Sequence, residues 1–362
     1  MGVAYSDHNG VDLGTPNQVG PTASSGTHRD RDRDRELPAK EHRMHRKSLL
    51  RRLTLAVVSV TALAVPAALS SNASAATTGP LTWQVRVGAE SPDMAVSAMA
   101  FLPKEVWVDV GDTVHWTAGS AEPHTVTFLE PGTLPPAFDL SDPSQTTPQG
   151  PSSYDGTTPT NSGIIATQPI FVFTNPASSY DLTFTATGDF TYYCLLHGAM
   201  MTGDVHVRAA GTAYPYTQQD YNRAGNDQAA AALFAGRTAY RQARQAHATT
   251  GSQVQVGIDG EGFGVMRFVR DNVVVHVGET VSFSTAGPGA PHTVTFGQEP
   301  PGLAILFPSG GDPADYSGGD LNSGVLAPGV PFTVTFTAAG KYHYICAIHD
   351  GMGMVGDVVV VP

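Results

Sequence analysis

The chain has 362 residues, a formal net charge of −12, 14% charged residues, 39 Gly and 27 Pro, which leaves room for two or three domains of short strands joined by turns. That balance argues against helical bundles, and the acidity argues against nucleic acid or an anionic membrane as partner. A hydrophobic content of 41% is enough for real cores.

Residues 1–75 read as a leader. Small and polar residues run into the charge tract Arg31–Glu36, which has no core-forming pattern and is expected to be disordered. From about 44 to 75, a basic start, the apolar run Leu53–Ser70 and the small residues Ala73-Ser74-Ala75 describe a secretory signal peptide. An N-terminal membrane anchor is the alternative, because the run is nearly long enough to span; Pro66 and the small residues after it favour cleavage. Met44 is well placed to be the true start, and the pairs Arg46-Lys47 and Arg51-Arg52 fit a twin-arginine signal poorly. The expected location is therefore secreted or periplasmic. Residues 76–362 carry ten Lys and Arg against 25 Asp and Glu, a net of −15. No cysteine lies near the expected mature start to take a lipid, and no second apolar run is long enough to span, so no stable membrane insertion is expected after cleavage.

Beyond the leader the chain repeats itself. Gln84–Gly88 (QVRVG) returns as Gln253–Gly257 (QVQVG), Val108–Trp116 as Val275–Phe283, and Pro123–Phe128 (PHTVTF) letter for letter as Pro291–Phe296. Asn161–Ile165 answers to Asn322–Leu326, Tyr180–Cys194 to Phe332–Cys346, and Met201–Val207 to Met354–Val360. Order is kept throughout, so a duplicated domain is expected, at residues 81–209 and 251–362. Each copy is a series of short alternating or β-branched runs bounded by Gly, Pro, Asp and Asn; in the first they are VWVDV, TVHW, HTVTF, DLTFTAT, FTYYC and GDVHV. The predicted fold is all-β, two tandem Greek-key β-sandwiches. The stretch between each PHTVTF and the following Asn-Ser-Gly is expected to be a surface loop with a helical turn. Residues 210–250 form a partly helical linker: Gln218–Ala248 is rich in Ala, Gln and Arg, with breaks expected near Gly225 or Gly236. Ala229, Leu233, Tyr240 and Ala243 fall at helical spacing, which suits either a plain spacer or a helix that docks the two domains.

The two cysteines, Cys194 and Cys346, occupy matching places, each followed three residues later by His197 or His349 and then by methionines. A disulfide between separate sandwiches would need their Cα atoms within about 7 Å. Burial as small hydrophobes leaves the repeated His and Met unexplained. Metal ligation accounts for all of them: a thiolate with two imidazoles and a weak axial thioether is the donor set of blue copper electron-transfer sites. The second imidazole comes from PHTVTF, as His124 or His292. His115, His206, His276 and His343 lie in strand patterns without counterparts in the other copy, and His247 lies in the linker; these read as surface or structural histidines.

The Gly-x-Thr-Val-x-[Trp/Phe] strand, the later His and the closing Cys-x-x-His…Met-x-Gly-x-Val loop resemble the cupredoxins, the plastocyanin and azurin family, over both halves. The resemblance implies one type 1 copper per domain, bound by His124, Cys194, His197 and Met201, and by His292, Cys346, His349 and Met354. Met200 and Met352 are the alternative axial ligands, at the shorter spacing of amicyanin-like loops; the Gly-Asp-Val strand after Met201 and Met354 favours the latter pair. One departure is Thr125 and Thr293, where many family members have an Asn that ties the histidine strand to the cysteine loop. No His-x-His pair of a trinuclear cluster occurs, Tyr193 and Ile345 stand where copper nitrite reductases carry a His, and each loop has one Cys, so a carrier is expected and not an enzyme. A copper-handling protein, or part of a copper oxidoreductase, is the alternative. On the resemblance, His197 and His349 present an imidazole edge, flanked by a patch of Leu195, Leu196, Ala199, Ala347, Ile348 and Met352, to redox partner proteins with basic surfaces.

Overall fold

The structure is a computed structural model that describes residues 79–246, 251–287 and 289–362. The expected leader at 1–75, with its signal peptide, and His247 lie outside the described residues.

Each half contributes nine principal strands. In the first these are β1 (Thr82–Glu90), β2 (Val96–Leu102), β3 (Glu105–Asp109), β4 (Thr113–Ala118), β5 (Thr127–Phe128), β6 (Thr160–Ser162), β7 (Ser179–Phe184), β8 (Gly188–Cys194) and β9 (Gly198–Arg208). The second repeats them as β10 (Gln253–Gly260), β11 (Phe263–Val269), β12 (Asn272–His276), β13 (Thr280–Ser284), β14 (Thr295–Phe296), β15 (Leu321–Ser323), β16 (Phe332–Thr335), β17 (Gly340–Ile345) and β18 (Val355–Val361). Alternation does what was expected of it: β12 reads exposed, buried, exposed, buried, exposed, because successive side chains point to opposite faces. The loops after PHTVTF do carry helical turns, Pro143–Thr146, capped by the Asp142 carboxylate, and the 3-10 turn Gly302–Leu306.

One sheet of each sandwich is its own, in the order β3-β9-β8-β5-β6 in the first half and β12-β18-β17-β14-β15 in the second. The other is shared. A single sheet runs β16-β13-β10-β11-β2-β1-β4-β7 through both halves, joined where β11 pairs antiparallel with β2 at Phe263↔Ala98, Gly264↔Ser97 and Val265↔Val96. Tandem sandwiches are therefore fused edge to edge, which closes two strand edges that would otherwise stand open to solvent. The cores meet as well: Met266, Ala290 and Met352 of the second half pack in the cluster built around Trp116, Phe128 and Tyr192 of the first.

The linker helix is continuous over Gln218–Ala246 and unbroken at either glycine. Both glycines are buried because the helix presses on the sheet there. A Cβ on Gly225 would lie 2.9 Å from the Leu102 carbonyl carbon, and one on Gly236 would lie 2.4 Å from Val96 Cγ1 and 3.0 Å from Phe263. Each glycine costs about 1 kcal/mol of helix propensity, and the close packing offsets it. Leu233 packs against Ala98, Leu102 and Ala229 on one side and against Val96 and Val265 on the other, so the helix straps the β2–β11 seam and is no plain spacer. No helix among the described residues is long and apolar enough to cross a membrane.

Candidate metal centres

The ligand-bearing segments reach each site from three places. His124 sits on the approach to β5, held by backbone hydrogen bonds to and from Ile165; the His292 carbonyl accepts from the Leu326 amide. Cys194 ends β8, His197 follows in the turn, and β9 returns through Met201. In the second half Cys346 follows β17, His349 opens the 3-10 turn Asp350–Met352, and Met354 immediately precedes β18.

These segments bring three buried donors together in each half. His124, Cys194 and His197 have their donor atoms within 4.8 Å of one another, and so do His292, Cys346 and His349. Nδ1 faces the sulfur in all four rings. The Cys194 Sγ lies 3.8 Å from His124 Nδ1 and 3.2 Å from His197 Nδ1; the Cys346 Sγ lies 3.8 Å from His292 Nδ1 and 3.4 Å from His349 Nδ1. A metal with bonds of about 2.0–2.3 Å to nitrogen and sulfur spans roughly 3.6–3.8 Å between them. The donor set thus fits a single first-row ion per half, and the soft thiolate with imidazoles suits copper. Neither cysteine is in a disulfide, and both are buried.

Electrostatics agree with thiolate ligands. Burial alone would raise the Cys194 thiol, but His197 and His124 beside it hold it well below its ordinary range; His349 and His292 do the same for Cys346. Burial opposes charge on His197 and His349, yet both are pushed up to about 10, the first chiefly by Cys194 and the second chiefly by Glu122. Each sulfur also accepts a backbone N–H at 3.4 Å, from Thr125 or Thr293.

Those threonines supply the tie that the family's Asn makes. Thr125 Oγ1 accepts the Leu195 amide at 2.8 Å, and Thr293 Oγ1 accepts the Ala347 amide at 2.9 Å. Behind them Thr127 and Thr295 donate to the side-chain oxygens of Asn161 and Asn322, whose amide groups clamp the carbonyls of Ser144, and of Ile305 and Phe307. The repeated PHTVTF and Asn-Ser-Gly motifs are thus one network that fixes the histidine strand to the cysteine loop.

Of the thioethers, Met201 and Met354 are buried in the same clusters as their cysteines, at 1% and 0% exposure. Met200 is 43% exposed, and Met352 packs into the core of the other half. His115, His206, His276 and His343 face Asp181, Asp189, Glu279 and Asp357 at the surface, as structural histidines should.

Two features differ from expectation. The contact patch does not form as expected: Leu195, Ala347, Ile348 and Met352 are buried, Met352 in the core of the other half, and Leu196 and Ala199 alone of the six keep exposed surface. Nor do the loop imidazoles present their edges outward: His197 is 4% exposed and His349 is fully buried. What their Nε2 atoms face is Glu122, a residue sequence reasoning passed over. Its Oε1 lies 3.4 Å from His197 Nε2 and its Oε2 lies 3.2 Å from His349 Nε2. Burial would raise this carboxyl, but His349 and His197 hold it well below the usual carboxylate range. The available signal was a mismatch within the repeat, since Glu122 before the first PHTVTF answers to Ala290 before the second. The glycines of QVRVG and QVQVG were also missed. Gly88 and Gly257 take left-handed φ of 73° and 68° at the register shifts in β1 and β10. A Cβ there would lie 2.7 Å from His124 Nε2 or 2.1 Å from His292 Nε2, so glycine makes the room each ring occupies.

A family model described as copper binding proteins of the plastocyanin/azurin family matches residues 89–208 and 253–361. The chloroplastic plastocyanin of Chlamydomonas reinhardtii is 36% identical over 107 residues, covering 30% of this chain and 65% of the relative, just under two thirds of its length. The plastocyanin of Sambucus nigra is 36% identical over 107 residues, covering 30% of this chain and 99% of the relative. Among solved structures, the oxidised plastocyanin of Dryopteris crassirhizoma is 26% identical with a TM-score of 0.21, covering 30% of this chain and 99% of that one. Each region matched by the family model carries one of the two His–Cys–His clusters, and the chain belongs to the plastocyanin/azurin family of copper-binding proteins.

Proposed function

We propose that this chain is an exported electron carrier with two type 1 copper sites, one held by His124, Cys194, His197 and Met201 and the other by His292, Cys346, His349 and Met354. The observation that carries the reading is the duplicated, buried convergence of two Nδ1 atoms on one thiol sulfur. Copper bound there supplies a one-electron Cu(I)/Cu(II) couple with intense thiolate-to-metal absorption. The residues around it do the rest. Burial excludes water and leaves no donor position open for a substrate, which favours a carrier over a catalyst. The Thr–Asn networks hold the ligands in one geometry, so little reorganisation accompanies a change of charge. Met201 and Met354 are the axial thioethers on this reading, being the methionines buried beside each cysteine.

An open groove of about 520 Å³ lined by Leu196, His197, Ala199, Met200 and Ala290 gives a partner its nearest approach to the first centre. The acidic chain suits a partner with a basic surface, met at rates that fall with salt. The test is repeated reduction and reoxidation of copper-loaded protein, with metal counted after each cycle. A carrier keeps two coppers per chain and bleaches and recovers its visible band each time. Loss of copper to an acceptor during cycling would instead make the chain a metal donor.

A further inference from the structure

Among the described residues Glu122 is the one acidic side chain that faces both centres, and its position in the repeat is informative. PHTVTF is identical in both halves, yet the residue before it is Glu122 in one and the buried Ala290 in the other. A second carboxylate at 290 would be surplus, because the single one already spends one oxygen on each centre: Oε1 on His197 Nε2 and Oε2 on His349 Nε2. Neither Nε2 has another polar partner among the described residues, and all three side chains are essentially inaccessible. The loop bearing Glu122 is itself fixed, since the Ala121 amide donates to Glu90, and Ser120 Oγ contacts both the Glu122 carbonyl and His124 Nε2. The carboxylate is therefore a preorganised link, and the two imidazole edges that would otherwise offer an exit to solvent are turned toward each other.

We infer that Glu122 joins the two metal centres into one unit, with electrons passing between them along His197–Glu122–His349. The inference rests on the copper reading above. In each transfer one centre is oxidised by one electron and the other reduced by one, with no bond broken and no net proton moved. The turn that carries His197 borders the open groove, whereas His349 is wholly enclosed, so the second centre fills through the first. Glu122 is a positioning residue here, acting through the two ligand rings.

The test is pulse-radiolytic reduction of the fully oxidised, copper-loaded chain, following redistribution of the electron between centres in the parent, Glu122→Gln and Glu122→Ala. Copper content and the visible band are measured first. A chain without copper sinks the underlying reading and this inference with it, whereas two coppers and a normal band leave the link alone on trial. Loss of a second-sphere partner lowers function by roughly 10–100-fold, and redistribution should slow by that factor in the Ala variant and by less in the Gln variant. Redistribution at the parent rate in both variants, or a rate that scales with protein concentration, overturns the inference. Proton magnetic resonance of the parent in its diamagnetic Cu(I) form is the second measurement, needed if the variants do not fold. The Nε2 protons of His197 and His349 should both be slow to exchange and shifted downfield, and absence of either signal counts against the link.

Discussion

The two centres share their inner donors and differ at the rim. Both have a strand imidazole and a loop imidazole facing a buried sulfur, a Thr amide on that sulfur, and a Thr–Asn clamp behind it. Around this shared kernel the first centre closes its loop four residues after His197, straight into β9, whereas the second takes five after His349, through a 3-10 turn ending at Gly353 with φ 85°. His124 Nε2 has Ser120 Oγ at 3.1 Å, while His292 Nε2 has no hydrogen-bond partner among the described residues and faces Gly257. The differences lie outside the three inner donors, where a duplicated site can vary without losing its His–Cys–His cluster.

The sharpest way to break the symmetry is at the strand imidazoles. A methyl group on Gly257 would stand 2.1 Å from His292 Nε2, with the left-handed backbone adding strain, so Gly257→Ala should cost about 2–4 kcal/mol in denaturant unfolding. It should also spoil the paramagnetic signal of the second centre while sparing the first. Gly88→Ala should do the same to the first centre more mildly, since the nearest atom is the Ser120 hydroxyl, at 2.4 Å.

Next come the threonine ties. Thr125→Val and Thr293→Val keep shape but leave the buried amides of Leu195 and Ala347 without their acceptor, at about 1–3 kcal/mol each. Equal losses in thermal unfolding would show that the two kernels are equivalent, and unequal ones would locate the weaker half.

A pH-dependent effect comes from Glu122, whose counterpart in the repeat is Ala290. Its carboxyl is held below the ordinary range by His349 and His197 against the opposing effect of burial. A carboxylate of depressed folded value contributes in full above its unfolded value of about 4.3 and loses that contribution as the pH falls through the folded one. Metal-free parent and Glu122→Gln proteins should therefore differ most in Tm near neutral pH and converge in acid.

The smallest effect separates neighbouring methionines. Met200→Leu, at an exposed site, should change stability by less than about 0.5 kcal/mol and leave the spectrum alone. Met201→Leu, a buried swap of similar volume, should cost less than about 1.5 kcal/mol yet alter the spectrum of the first centre.

Much of this was legible in the letters because it was written twice. Alternation located most strands, and the repeated Cys and His marked both His–Cys–His clusters. The seam was not legible. Val96–Leu102 is buried almost throughout, as a strand covered on both faces is, so it shows no period of two and is missing from the expected strands. Its pairing with Phe263–Val269 has no local signal. Gly225 and Gly236 carried the propensity of helix breaks, and tertiary packing reversed their meaning. Burial of the loop imidazoles could not be read either, because it arises from one half resting on the other.

The most direct test is copper content with paramagnetic resonance and visible spectra of Cys194→Ser and Cys346→Ser, made separately. Two sites, each with its own thiolate, predict that each variant keeps one copper and one blue signal, different in the two cases. A single variant that abolishes both signals, or a parent chain that binds one copper, would contradict the account.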